Sequence, residues 1–319
     1  MAREYEAQLL YQPPTDALRF LPEGPYPLDQ QRMSWVGIQH GGDAQIGSLN
    51  VLDFASGENR SYELEGRPGF AYATDREGVF VVGLERNVRL FDTNSGQYED
   101  LCGPIDQDVE NTIINDGLAF DGGLLFGAKD LEFAEKKAGL YLWRRSDRQL
   151  IRLRSDQICS NGKVLLQQDG KTVLLDIDSP TKTVVAYDLD VQQGTLSEAK
   201  IVVDLRDGDS FPDGMIATPD GQSVIISFYN PNDAEAGETR QYGLQQGDLQ
   251  CVWKTPKAPQ ATCPQLVKYQ GRVKLVITTA VEHMSVERRA QHVNSGCLFW
   301  ADTDFAELPD TPIFRIDSE

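Results

Sequence analysis

The tripeptide Pro-Asp-Gly occurs twice in "FPDGMIATPDG", residues 211–221. The second copy, followed by "QSVIISF", reads as a tight turn feeding a strand. Asp213, in the first copy, belongs with three other oxygen-bearing side chains: Glu23 in "LPEGP", Asn115 in "INDG" and Asn161 in "SNGK". Each precedes a short strand-like run. Two carboxylates and two amides, if brought together, suit a hard divalent cation such as Ca²⁺ or Mg²⁺, with water completing its shell. Zn²⁺ prefers His or Cys, which the set lacks, although carboxylate sites also accept Zn²⁺ or Mn²⁺.

A repeat supplies the frame that would position them. Six segments read as a strand running into a polar turn: "GSLNVLDFASGE" (47–58), "NVRLFDTNSGQ" (87–97), "AGLYLWRRSDRQ" (138–149), "KTVVAYDLDVQQG" (182–194), "RQYGLQQGDLQ" (240–250) and "GCLFWADTDF" (296–305). Their starts lie roughly 40 to 60 residues apart, within the period range of propellers and solenoids. Before each comes a short, apolar, β-branched run: "RMSWVGI", "GVFVVG", "GLLFGA", "KTVLLDI", "QSVIISF" and "VKLVITTA". Such runs suit strands buried on both faces. A third series precedes these: "LPEGP", "GRPGFAYATD", "INDGLAFDG", "SNGKVLLQQDG", "PDGMIATPDG" and "CPQLVKYQG". Each unit thus reads as three strands, with a fourth in the polar remainder.

Four-stranded sheets repeated radially make a β-propeller, and six units predict six blades in a single all-β domain spanning residues 1–319. Helical signals are nearly absent, and "LEFAEKKAGL" reads as a loop. The third series would line the central channel, and the residue ahead of each strand would sit at one mouth. Around the ring that slot holds Glu23, Pro68, Asn115, Asn161, Asp213 and Pro264. The early "EAQLLYQ" and final "PIFRI" are expected to pair in one blade as a clasp, removing exposed edges.

Composition narrows the partners. The net charge of −19 repels phosphate backbones and anionic lipid, which argues against nucleic-acid and membrane-surface partners. No stretch is apolar enough for a signal peptide or a membrane span. Five scattered cysteines without a C-x-x-C point to free thiols in a reducing compartment, hence the cytoplasm. The three histidines form no ligand spacing, although His40 and His283 could rim the mouth.

"LPEGP", "INDGLAFDG", "CSNGKVLLQQDGKTVLLDIDS" with "VVAYDLD", and "FPDGMIATPDG" resemble, in order, the motifs of the senescence marker protein/gluconolactonase/luciferin-regenerating enzyme family, which includes regucalcin. The likeness runs from about residue 20 to residue 301. It implies a six-bladed β-propeller with one divalent cation in its central channel, Ca²⁺ foremost and Mg²⁺, Mn²⁺ or Zn²⁺ as alternatives. Glu23, Asn161 and Asp213 are the direct metal ligands it implies, with Asn115 contacting substrate near the metal. The implied activity is lactone hydrolysis. The metal would polarise the ring carbonyl while Asp213 acts as general base on the attacking water. A carboxylate that shares a cation is a weakened base, so its surroundings or an activated water must compensate.

The sequence departs from the family at three places. Ile113 stands where relatives acting on sugar lactones usually have an arginine that binds substrate hydroxyls; a more apolar ligand would gain there. Lys129 in "FGAKD" replaces a frequent methionine, either returning the lost positive charge to the substrate site or lying solvated. Gly37 replaces an aspartate. Two other readings stay open: a calcium- or ligand-binding propeller without turnover, and an organophosphate-hydrolysing propeller.

Overall fold

The computed structural model describes residues 2–308 and 311–316. Two short strands come first, β1 (Arg3–Glu6) and β2 (Gln8–Tyr11), followed by one helical turn, α1 (Asp16–Arg19). Blade 1 is β3 (Pro22–Pro27), β4 (Arg32–Gly37), β5 (Ser48–Asp53) and β6 (Asn59–Glu63). Blade 2 is β7 (Pro68–Ala73), β8 (Val79–Leu84), β9 (Asn87–Asp92) and β10 (Tyr98–Cys102). Blade 3 follows as β11 (Thr112–Phe120), β12 (Gly123–Asp130), β13 (Ala138–Arg144) and β14 (Gln149–Gln157). Blade 4 holds β15 (Ser160–Gln168), β16 (Lys171–Asp178) and β17 (Thr183–Asp190), whose outer partners are β18 (Thr195–Leu196) and β19 (Lys200–Asp204). Blade 5 is β20 (Phe211–Ala217), β21 (Ser223–Tyr229), β22 (Ala236–Gly243) and β23 (Leu249–Pro256). Blade 6 has β24 (Ala261–Tyr269), β25 (Arg272–Thr279) and, after helix α2 (Val286–Gln291), β26 (Leu298–Asp302).

These six antiparallel sheets make a six-bladed β-propeller, with the first, second and third strands where the three repeat series put them. Residues 131–137 form a loop, as read from sequence. By contact density the chain forms two compact units: Met1–Pro68 with Arg206–Thr311, and Gly69–Leu205 with Pro312–Glu319. The first carries blades 1, 5 and 6; the second carries blades 2, 3 and 4.

Patterning explains the layers. The second strands are largely apolar and buried, as in β12 where every residue is buried, Lys129 and Asp130 included. The fourth strands are largely exposed, as in β6 and β14. Apolar side chains from adjoining blades interlock within each unit. Met33, Trp35 and Leu52 of blade 1 meet Val267, Val276 and Leu298 of blade 6. Leu125, Leu140 and Leu142 of blade 3 meet Leu174, Tyr187 and Leu189 of blade 4. A recurring Asp-to-Gly turn leads out of the third strand. Asp53 O accepts from Gly57 N at 2.9 Å and Asp92 O from Gly96 N at 2.8 Å, with both glycines at positive φ.

The clasp differs from expectation. The early segment divides between two blades: β1 pairs in parallel with β23 of blade 5, and β2 pairs antiparallel with β26 of blade 6. "PIFRI" goes instead to blade 2. Phe314 forms a parallel bridge with Thr74, is buried to 1% exposure, and packs its ring 5.5 Å from that of Trp143. The buried Phe314 ring is held there by Trp143, whereas "QLLY", exposed or half-buried throughout, lies along the edge strand β26.

Candidate metal and substrate site

The slot residues lie within the innermost strands rather than ahead of them. In five of the six blades the first strand slips against the second at the same level, between Glu23 and Tyr26, Ile114 and Asp116, Asn161 and Lys163, Pro212 and Met215, and Ala261 and Pro264. Each slip is a β-bulge, two residues opposing one. Bulges interrupt the ladder and re-aim side chains, and they recur beside functional sites. Asn115 and Asp213 sit in the bulge itself; Glu23 and Asn161 sit at its edge. In blade 6 the bulge holds Thr262 and Cys263, so Cys263 takes the level where the sequence suggested Pro264. Turn-like letters hid the bulges, because a bulge and a turn both draw Gly, Asn and Asp.

In the unit of blades 2–4, Asn115 and Asn161 meet. Asn115 Nδ2 donates to Asn161 Oδ1 at 3.0 Å and to the Ser160 carbonyl at 2.9 Å. Asn161 Nδ2 donates to Ser179 Oγ at 2.8 Å. Both amino ends are thereby held by the protein, so both carbonyl oxygens are presented as acceptors. This donor chemistry fits a hard cation, since Asn161 Oδ1 has a second lone pair beyond the one Asn115 takes. Behind Asn161 stands a buried charged group that the sequence did not signal. Lys163 Nζ donates to the Asn161 carbonyl at 2.9 Å and lies 3.6 Å from Asp176 Oδ1. Burial pushes the Asp176 carboxyl up to about 6, against the pull of Lys163 and the Gln157 amide. Asp178 accepts from the Cys159 amide at 2.8 Å, fixing the entry to β15.

Ile113 and Lys129 are direct cross-strand partners between β11 and β12, so their side chains share one face of the sheet. Ile113 is 2% exposed and Lys129 6%, so Lys129 is not solvated. Its Nζ lies 5.9 Å from the centre of the Phe133 ring.

In the unit of blades 1, 5 and 6, the innermost strand β24 packs against β3 on one side and β20 on the other. Thr262 Oγ1 of β24 donates to the Pro22 carbonyl at 2.7 Å, beside Glu23. Gly214 is required on the other side, since a Cβ there would lie 2.6 Å from Cys263 Sγ. Glu23 is half-buried, and its Oε2 accepts from the Gly24 amide at 3.1 Å. Asp213 is 9% exposed. Its charge reaches Tyr229, whose hydroxyl pKa rises through burial first, then through Glu282 and Asp213. Of the two Pro-Asp-Gly copies, the second is the expected turn: Asp220 accepts from Thr218 Oγ1 at 2.6 Å and from the Gln222 amide at 3.0 Å. His40 contacts Ser48 Oγ at 3.0 Å, and burial lowers its pKa against the opposing effect of Glu63. Among the described residues no three His, Cys, Asp or Glu side chains are grouped to hold a metal ion. The expected set contains only two such residues and depends on the amide of Asn161.

The fold is a β-propeller whose innermost strands carry Glu23, Asn115, Asn161 and Asp213 at or beside their bulges. Residues 21–281 match the family model described as SMP-30/Gluconolactonase/LRE-like region, and the chain belongs to that family. It is 26% identical over 302 residues to the Bacillus subtilis (strain 168) protein named "Putative sugar lactone lactonase YvrE", covering 93% of this chain and 96% of that one. Among solved structures it is similar to a calcium-binding protein, regucalcin, from Agrobacterium tumefaciens, with a TM-score of 0.81, 18% identity and 99% and 100% coverage. It is also similar to a gluconolactonase from Xanthomonas campestris, with a TM-score of 0.63, 17% identity and 93% and 89% coverage. At these identities the two structures speak for the fold.

Proposed function

We propose that this protein is a metal-dependent hydrolase that opens the ring of a small lactone, with Glu23, Asn161 and Asp213 holding one divalent cation, Ca²⁺ foremost. The observation that carries this reading is the pair of amides at the bulges of β11 and β15. Their amino ends are tied to Ser160, Ser179 and each other, so both offer oxygen. Family membership and the lactonase name of the Bacillus relative support the reaction class. A bound divalent cation supplies Lewis acidity and makes a water more acidic at neutral pH.

The chain's own groups do the rest. Asp213 takes a proton from the attacking water as its oxygen bonds to the ring carbonyl carbon. The ring C–O bond then breaks, and the departing oxygen regains a proton to give a hydroxy acid. Asn115 and Asn161, held rigid by their neighbours, orient the reacting end of the ligand at no further ordering cost. Ile113 and Lys129 face the same ligand from β11 and β12. Five free cysteines fit a reducing cytoplasm.

A pH-indicator assay over neutral and charged lactones, with and without chelator, tests the proposal. Acid release should vanish with chelator and return with Ca²⁺. Asp213→Asn should cut kcat by roughly 100-fold or more; unchanged turnover with cation bound would remove Asp213 as the base. The second reading, cation or ligand binding without turnover, draws on Ile113 replacing the family arginine. Silence across lactones and phosphotriesters, with Ca²⁺ still bound, would favour it.

A further inference from the structure

Lys129 is a largely buried lysine whose ammonium has only an aromatic ring for company within the protein. The residue is 6% exposed, and among the described residues its Nζ has no hydrogen-bond acceptor and no carboxylate at ion-pair distance. The nearest carboxylate in sequence, Asp130, is already committed. It accepts from the amides of Glu132, Ala134 and Glu135, and Lys137 Nζ lies 3.1 Å from its Oδ1. Lys163, the other buried lysine of this unit, has both Asp176 and the Asn161 carbonyl. An ammonium set in a largely buried face with no carboxylate beside it is poorly compensated by the protein itself. A ring face 5.9 Å away compensates it only in part. The ring itself is 49% exposed and sits on a residue with φ of +51°, a conformation bulky residues rarely adopt. Such an arrangement is stable in a chain when a ligand completes it.

The neighbours say what kind of ligand. Ile113 stands directly across the ladder from Lys129 and shares its face. Asn115, two residues along β11, turns its side chain to Asn161. From the Asn115 amide, β11 therefore leads across its bulge to a buried isoleucine, with an ammonium opposite it on β12. Resting on the lactone reading above, we propose that the substrate is a lactone with an anionic substituent, a carboxylate or a phosphate ester. Lys129 pairs with that group while Ile113 covers an apolar part of the ring. A polyhydroxylated neutral lactone fits this wall poorly, since Ile113 offers its hydroxyls nothing. On a molecule of net charge −19, a lone buried cation also marks where an anion is tolerated.

The test compares wild type with K129Q, K129M and K129R on two matched pairs. One pair is γ-butyrolactone and its γ-carboxylate; the other is glucono-δ-lactone and its 6-phosphate. Wild type should favour the charged member of at least one pair by roughly ten- to hundredfold in kcat/KM, mostly through KM. K129Q and K129M should level that preference, and K129R should keep part of it. Which pair responds tells carboxylate from phosphate. Preference for the neutral members, or a preference that survives K129Q, overturns the proposal.

Calorimetry with the non-hydrolysable lactams pyroglutamate and 2-pyrrolidinone, and with inorganic phosphate, separates this inference from the hydrolase reading. If no lactone is opened but pyroglutamate or phosphate binds in a Lys129-dependent manner, the anion site stands and hydrolysis falls. Binding that ignores the lysine overturns the anion site. Because Lys129 has no carboxylate partner and its Phe133 contact is with a half-exposed ring, K129M should melt no lower than wild type; a marked loss of stability in both K129M and K129Q would assign the lysine a structural role and also overturn the proposal.

Discussion

Asn161 owes its orientation to its neighbours. Ser179 takes one amide hydrogen, Asn115 supplies the hydrogen bond to the oxygen, and Lys163 holds the backbone carbonyl. Removing the Ser179 hydroxyl frees the Asn161 amide to turn its amino end toward the position proposed for the cation. Ser179→Ala should therefore weaken Ca²⁺ binding by roughly tenfold, as outer partners of metal ligands typically do. Calorimetric titration with Ca²⁺ checks this, and an unchanged affinity would mean that Asn161 does not depend on Ser179. At this scale the sequence was informative in type but not in support. Glu23, Asn115, Asn161 and Asp213 announce themselves by recurring at one level of a repeat. Ser179, Lys163 and Asp176 carry no such signal, because they come from neighbouring strands and turns with no fixed offset from the residues they hold.

At the scale of strands and loops, the bulge is the recurring device, and close approach is its cost. Gly127 of β12 is pressed against the next innermost strand: a Cβ there would lie 1.9 Å from Ser160 Oγ and 2.3 Å from Ser160 Cβ. Gly127→Ala should destabilise the protein by roughly 1–3 kcal/mol, through overpacking that pushes β15 away. Urea unfolding measures it, and a midpoint equal to that of wild type would show that β15 yields freely. The loop over residues 131–137 has its own anchor in Asp130. Burial alone would raise this carboxyl, but donation from the Glu135, Ala134 and Glu132 amides and from Lys137 outweighs it and holds it at about 2. A depressed folded-state value stabilises the fold above the ordinary 3.8 and is lost as pH falls toward 2. Acid unfolding of wild type should thus be steeper between those limits than that of Asp130→Asn. Parallel curves would exclude Asp130 as an acid-labile anchor. The strands themselves were readable from short apolar runs between turn residues. The bulges were not, since alternation resumes after each with only one residue gained.

For the molecule as a whole, six units at a steady period sufficed to infer a propeller, because each sheet must bury both faces and stacking like on like is the economical way. Closure was harder to read. The clasp depends on which edge accepts a spare strand, and composition alone does not decide that; "QLLY" and "PIFRI" are equally strand-like, yet one pairs with β26 and the other docks at Thr74. Deleting residues 2–12 removes both β1 and β2, leaving β26 and β23 as open edges. Such a variant should melt several degrees lower and scatter light on heating, following the general hazard of unpaired edges. Thermal scans with turbidity readout test this, and an unaltered melting temperature would deny the two strands a closing role.

The placement of β1 and β2 also sets an order of events during synthesis. Both strands are synthesised well before their partners, β23 and β26. Until those partners are made, β1 and β2 have nothing to pair with. Contacts between residues so distant along the chain form slowly, so the nascent protein spends its longest interval as an incomplete propeller. That interval is when a holding chaperone has most to protect.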